Sequence, residues 1–291
     1  MRPQTPSRRA FLPAAAALAT APIRARASML VPDAFRFGLT PVCLTSDLEL
    51  LARLQGYLER ALRRPVKLVT KRTYQEITAL LISGELDAAW ICGFPFVAHQ
   101  PRLTLAAVPV WRGAPLYRSY LITSSERDAT GLPDLGGDIH AFSDPDSNSG
   151  WLVTAAELAT EHRSPDRFFR RTFFTWGHRN VVRAIASGLA DSGSVDGYVY
   201  EVMRETEADL IRRTRIVRAS EWLPFPPVAF AAGSASSDKA TRFREAMTAM
   251  GGDAEGRVVL AMLRLDGFRQ EDSGLYDPIA RKLAAVRGMP G

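Results

Sequence analysis

The segment Ser143-Asp144-Pro145-Asp146-Ser147-Asn148-Ser149-Gly150 is the part of this sequence best suited to holding a small anion. It lies between a short strand-like run, His140-Ala141-Phe142, and an alanine-rich helical stretch, Gly150 to Glu161. The hydroxyl and amide side chains at 147–149 therefore fall at or just before a first helical turn. That turn has N–H groups without intrahelical partners and carries the positive end of the helix dipole. Hydroxyls and free N–H groups together make an anion site without arginine or lysine. Gly150 lets the backbone approach a ligand closely. Plain capping also favours Ser and Asn. One residue satisfies a cap, and three polar residues followed by Gly exceed that need.

The surrounding pattern has to position this loop. Phe35 to Leu39 reads as a strand, and Leu48, Leu51, Leu54, Leu58 and Leu62 recur at helical spacing until Pro65. Val66 to Val69 is a strand, Tyr74 to Ile82 a helix closed by Ser83-Gly84, and Asp87 to Ile91 a strand. This alternation argues for a parallel sheet covered by helices. Leu105 to Trp111 and Tyr117 to Thr123 are β-like runs around Arg112-Gly113-Ala114-Pro115. A second alternating unit follows: His140 to Phe142, the helix after Gly150, Phe173-Phe174, a helix from Asn180 to Ser187, and a strand from Val195 to Val199. After Ile216-Val217 comes Leu223-Pro224-Phe225-Pro226-Pro227, then a strand from Val228 to Ala231 and two or three amphipathic helices. Two α/β units with strand-like crossovers near residues 112–120 and 218–228 predict two lobes and a hinge. No internal repeat is visible.

Composition narrows the class. The 291 residues are 46% hydrophobic and 23% charged, as in an ordinary globular protein. No stretch reaches the ~20 apolar residues of a membrane-spanning helix. The net charge of +6 comes from scattered basic residues, several of them near the N-terminus, which argues against a nucleic-acid surface. The four histidines are dispersed and no His/Cys group has metal-ligand spacing, so neither a metal nor another cofactor is expected. Ser7-Arg8-Arg9-Ala10-Phe11-Leu12, the apolar run Ala14 to Ile23 and Ala25-Arg26-Ala27 have the layout of a removable export signal. The paired arginines resemble a twin-arginine leader, so residues 1–27 are expected to be removed and the mature protein to be periplasmic.

Asp-Pro-x-Ser-x-Ser-Gly at a helix start resembles the anion loop of periplasmic phosphonate-, phosphite- and phosphate-binding proteins of ABC transporters. Tyr74-Gln75-Glu76-Ile77 followed by Gly84 to Trp90 looks like that family's first lobe, and Gly177 to Ile185 with Gly188 to Asp191 looks like its second. The resemblance runs over roughly residues 35 to 270. It implies an α/β fold of the type II periplasmic-binding-protein kind, with two α/β lobes joined by a two-strand hinge. Residues 33–116 and 224–291 would form the first lobe and 117–223 the second. It implies that Ser147, Asn148 and Ser149 bind the phosphonate oxygens, with Asn148 where the family commonly has Thr. It also implies contacts from Tyr74, from the hinge-side Tyr117 and from His178. Judged without it, Tyr74 could instead cap the lobe surface, Tyr117 reads equally as hinge packing, and an isolated histidine such as His178 is more often structural.

Members that bind aminoalkyl phosphonates hold the ammonium with acidic residues. By spacing from His178 those positions fall at Tyr198 and about Pro226, neither acidic. A buried ammonium without a carboxylate is costly. The expected ligand is therefore phosphite, phosphate or a small alkyl phosphonate, with Tyr198, Phe225, Phe96 and Trp151 as candidate pocket walls. Glu201 or Asp196 would substitute for the missing acids if the register shifts. Cys43 and Cys92 follow the first and third strands, often neighbours in such a lobe, so a bridge and two free thiols both remain open. The expected partner is a transporter permease, with a membrane sensory receptor as the alternative; a monomer is expected. A catalytic role is disfavoured, because no Ser-His-acid order, Walker loop or paired-carboxylate motif emerges.

Overall fold

Two sheets organise the chain in the computed structural model, which describes residues 33–40 and 47–289. The chain opens with β1 (Phe35–Leu39), α1 (Leu48–Leu62), β2 (Val66–Thr70), α2 (Tyr74–Ile82) and β3 (Ala88–Trp90). α1 starts where the Asp47 carboxylate accepts the Leu50 N–H, and it ends at Arg63 in the left-handed conformation. Its buried face is Leu50, Leu54, Tyr57, Leu58 and Leu62. α2 starts on a reciprocal capping box between Thr73 and Glu76, which fixes Tyr74 as its first residue.

The chain then forms α3 (Gly93–Ala98), β4 (Leu103–Val110), β5 (Leu116–Tyr117), β6 (Ser119–Ser124) and β7 (Ile139–Phe142). A π-type turn at Asn148–Leu152 runs into α4 (Val153–Thr160), followed by α5 (Pro165–Phe168), β8 (Arg171–Phe174), α6 (His178–Ala186) and β9 (Ser192–Asp196). The rest is α7 (Gly197–Thr206), α8 (Ala208–Ile211), β10 (Thr214–Ala219), β11 (Leu223–Pro224), β12 (Val228–Ala231), α9 (Asp238–Ala249), α10 (Ala254–Leu263), β13 (Gly267–Arg269) and α11 (Asp277–Arg287).

The first sheet has six strands in the order β13-β4-β12-β3-β1-β2, and the second has five in the order β10-β6-β9-β7-β8. β1 runs parallel to both β2 and β3, and β7 runs parallel to both β8 and β9. A short antiparallel ribbon pairs β5 with β11. The chain crosses to the second sheet after β5 and returns through β11 before adding β12 to the first sheet between β3 and β4. The architecture is thus mixed α/β, and the first and third strands are neighbours as expected.

Several expectations need correction. The run at Val195–Val199 is not one strand: β9 ends at Asp196, whose carboxylate accepts the Val199 N–H and starts α7. The run from Tyr117 to Thr123 is broken at Arg118, because Tyr117 pairs with Leu223 while Ser119 pairs with Asp196. The three residues of β13 carry no readable alternation, and they add to β4 antiparallel. Among the described residues no helix is long and apolar enough to cross a membrane. Cys43 lies outside the described residues, whereas Cys92 is a buried free thiol.

Candidate functional site

The loop after β7 is held from several directions. Ser147 is the cap of the helical segment: its Oγ accepts the Gly150 N–H at 3.0 Å. That leaves its own O–H as a donor. The Leu152 N–H donates to the Ser147 carbonyl, five residues back, which widens the first turn into a π turn. The Asn148 N–H donates to Cys92 Sγ at 3.2 Å, and Asn148 Nδ2 donates to the Tyr117 hydroxyl at 2.9 Å. The Ser119 hydroxyl donates to the Ser149 carbonyl at 2.6 Å. Gly150 is demanded by proximity: a Cβ there would lie 1.8 Å from Ser143 Oγ and 3.0 Å from His178 Cε1.

His178 opens α6, which packs on β9 of the second sheet. Its Nδ1 accepts the Asp196 backbone N–H at 3.0 Å. An acceptor nitrogen carries no proton, so the ring is neutral with its hydrogen on Nε2. Burial agrees, pushing this imidazole down to about 3. Nε2 lies 3.1 Å from the Tyr74 hydroxyl, the first residue of α2 beside the other sheet. With Nε2–H donating to that phenol oxygen, the Tyr74 O–H hydrogen is left to donate elsewhere. A second link crosses the same gap: the Tyr74 N–H donates to Asp144 Oδ2 at 3.3 Å. Asp144 also accepts the Asp146 N–H at 2.8 Å. A carboxylate at the head of α2 matches the helix dipole, although burial pushes its pKa up.

Ser147, Asn148, Ser149, His178, Tyr74 and Tyr117 are all essentially buried and form one connected cluster. Burial raises both phenols well above the usual tyrosine range, so they are donors at neutral pH. Tyr198 is placed differently. Its hydroxyl donates to the Leu263 carbonyl at 2.6 Å, while its ring lies 5.1 Å from Phe225 and 5.9 Å from Trp111. Phe225 lies between Tyr198 and Tyr117, whose ring centroid is 5.6 Å away. Phe96 packs on Tyr276, and Trp151 stacks on Phe94. Glu201 is engaged by Arg112 and Arg204 and by the Tyr120 hydroxyl.

Three cluster members were not expected at the oxyanion loop from the sequence, where Asp196 was named only as a substitute acid for an ammonium and Cys92 only as a possible bridge partner. Cys92, at the start of α3, accepts from the loop, and burial raises its thiol to about 12. Asp196 is 1% exposed beside Ser149 and His178, and burial raises its carboxyl to about 7. Tyr276 donates to the Phe225 carbonyl at 2.7 Å. The end of β9 was the available signal for Asp196, since ligands of open α/β sheets gather beyond the carboxyl ends of strands. The cluster is interior: the open surface groove bordered by Arg60, Arg242 and Asp253 contains none of it. Three buried atoms around the loop have no hydrogen-bond partner: Ser143 Oγ, Asn148 Oδ1 and Asp196 Oδ2. Among the described residues no group of three or more His, Cys, Asp or Glu is arranged to hold a metal ion.

Known structures share this architecture. A binding-protein component of an ABC phosphonate transporter from Pseudomonas aeruginosa superposes with a TM-score of 0.79 at 21% identity, covering 87% of this chain and 86% of that one. PhnD1 from Prochlorococcus marinus, in complex with methylphosphonate, gives 0.77 at 17% identity, covering 87% and 99%. A Xanthomonas citri protein bound to ATP gives 0.69 at 18% identity, covering 87% and 97%. These identities show the fold. The family profile described as "ABC transporter, phosphonate, periplasmic substrate-binding protein" matches residues 37–276, and the chain belongs to that family of transport proteins, which is not a family of enzymes.

Proposed function

We propose that this protein captures a small phosphorus oxyanion (phosphite, phosphate or a short alkyl phosphonate) between two lobes in the periplasm and delivers it to an ABC-transporter permease. The lobes are residues 33–116 with 224–291, and residues 117–223. Ser147, Asn148, Ser149 and His178 belong to the second lobe, and Tyr74 reaches them from the first. Tyr117 sits on the connecting ribbon, and the Tyr198 ring with Phe225 forms a wall. The observation that carries this reading is the Tyr74–His178 contact of 3.1 Å beside the Ser147–Ser149 turn.

The mechanism follows from where the donors sit. A ligand that needs both sets of donors is fully bound only when the lobes close, so it shifts the population toward closure. The donors are neutral hydroxyl and amide groups, with the His178 imidazole holding the Tyr74 hydroxyl so that its hydrogen is free for the ligand. Each hydrogen bond to a charged oxygen contributes about 1.5–3 kcal/mol when the alternative is a buried unpaired charge. The acids expected for an ammonium are absent at Tyr198 and Pro226. Asp196 lies against Ser149, at the oxyanion end of the cluster. A ligand without an ammonium fits this arrangement.

A thermal-shift screen followed by calorimetry tests the reading. Phosphite, phosphate and methylphosphonate are the expected ligands, and one present at about 100 times its Kd should stabilise the protein by about 2.7 kcal/mol. Tightest binding of 2-aminoethylphosphonate would contradict the absence of an ammonium. Binding of none of these oxyanions would remove the reading as a whole.

A further inference from the structure

We propose that Asp196 shares one proton with the bound oxyanion through Oδ2, so that this carboxyl selects ligands by the proton they bring or can take up. The inference rests on the oxyanion reading and deepens it. Asp196 is held by both its backbone and its Oδ1. Its N–H donates to His178 Nδ1, and Oδ1 accepts the Val199 N–H at 3.2 Å. Oδ2 is buried and has no hydrogen-bond partner. Ser149 lies beside the same carboxyl, which places it at the polar loop. Asn148 Oδ1 is a second buried acceptor without a partner, so the cluster presents acceptors as well as donors.

An ionised carboxylate and an oxyanion both only accept, and a desolvated pair of acceptors repels. One proton between Oδ2 and a ligand oxygen resolves this. A P–OH ligand brings that proton. A dianion meeting ionised Asp196 draws it from solvent. The imidazole, the phenols and the thiol that face Asp196 stay neutral. His178 of α6 is neutral by its tautomer, and burial holds Tyr74 of α2, Cys92 at the start of α3 and Tyr117 of β5 in their protonated forms. Asp144, which also acts on Tyr74 and Cys92, accepts two backbone N–H groups. His140 on β7 is a neutral ring bonded to Ser192 and Ser194 of β9. Between β5 and β6, the Arg118 carbonyl accepts the Gly197 N–H and its guanidinium lies over Trp222. On α7, Glu201 and Arg204 pair with each other. From α10, the Leu263 carbonyl accepts the Tyr198 hydroxyl. Asp144 and Asp196 belong to no ion pair among the described residues.

Calorimetry of methylphosphonate at about pH 8.5, in two buffers of different ionisation enthalpy, reads protons taken up on binding. The wild type should take up about one proton. Asp196→Asn should bind with almost none, because its amide donates to the ligand directly and Asn still caps α7. Asp196→Ser, also a good cap, replaces it if Asn disturbs the fold. Sulfate carries no proton in this range. Its affinity for the wild type should fall about tenfold per pH unit above neutrality and should stay flat for Asp196→Asn. Equal proton uptake by wild type and Asp196→Asn would overturn the assignment while leaving oxyanion binding intact. So would a loss of 2-aminoethylphosphonate affinity in Asp196→Asn that ethylphosphonate does not share, since Asp196 would then hold an ammonium. A wild type that binds no oxyanion would instead remove the reading beneath it.

Discussion

His140 and His178 are both buried in the second half of the fold, and burial pushes both imidazoles down to about 3. Their surroundings differ. His140 is satisfied on both sides, by Ser192 Oγ at 2.8 Å and Ser194 Oγ at 2.9 Å, and its ring stacks 4.1 Å from Phe169. All its partners lie on neighbouring parts of the same sheet region, and no polar atom of Ser192, Ser194 or Thr154 is left without a bond. His178 has one nitrogen on the Asp196 backbone and the other on a tyrosine from beside the opposite sheet. Three buried polar atoms around it have no partner. Desolvation alone therefore does not distinguish the two histidines. Unsatisfied buried groups do, because a native interior leaves few of them without a reason.

The sharpest way to break this contrast is to displace the unsatisfied region without touching the satisfied one. Gly150→Ala places a methyl group against Ser143 and His178. It should cost about 1–3 kcal/mol of stability by overpacking. Loss of about two anion hydrogen bonds as the loop moves should weaken methylphosphonate binding about 100-fold in calorimetry. Ser149→Ala removes one donor and adds no bulk. It should weaken binding about tenfold or somewhat more and leave the melting temperature nearly unchanged.

The pH dependence of stability separates the two histidines from Asp196. A neutral buried His with a lowered pKa contributes stability that is present above its ordinary value near 6.5 and is lost as pH falls toward about 3. Asp196 has the opposite sign. Its raised carboxyl costs stability progressively as pH rises from the ordinary carboxylate range through about 7. Asp196→Asn should therefore raise the apo melting temperature more at about pH 8 than at about pH 5, read by calorimetric scans. The smallest effect belongs to Tyr198→Phe. It deletes the bond to the Leu263 carbonyl, about 1 kcal/mol of stability, and should leave methylphosphonate affinity within about threefold.

Much of the fold was legible because its signals are local. Leucine spacing between Asp47 and Pro65 defines α1, and the Thr73–Glu76 box defines the start of α2. The buried polar turn was legible because Ser147, Asn148 and Ser149 exceed the needs of a cap, although Ser147 does serve as one. What stayed hidden depends on contacts between distant segments. Val195–Val199, with a valine at each end and Tyr198 inside, reads as one strand, yet it divides at Asp196 because that side chain caps a helix. Nothing near Cys92 indicates that its sulfur meets the Asn148 N–H across 56 residues. The two histidines also could not be told apart by sequence, since the Ser192 and Ser194 partners of His140 come from β9, two strands later in the chain.

The most direct test sets these two histidines side by side. Methylphosphonate is titrated into wild type, His140→Gln and His178→Ala, with folding checked by thermal melts. His178→Ala should weaken binding about 30- to 100-fold, because the Tyr74 hydroxyl loses the donor that orients its own O–H toward a buried anion. His140→Gln should lose stability and keep its affinity within about threefold of wild type. Equal losses of affinity in both variants, or none in His178→Ala, would contradict a site built where Tyr74 meets His178.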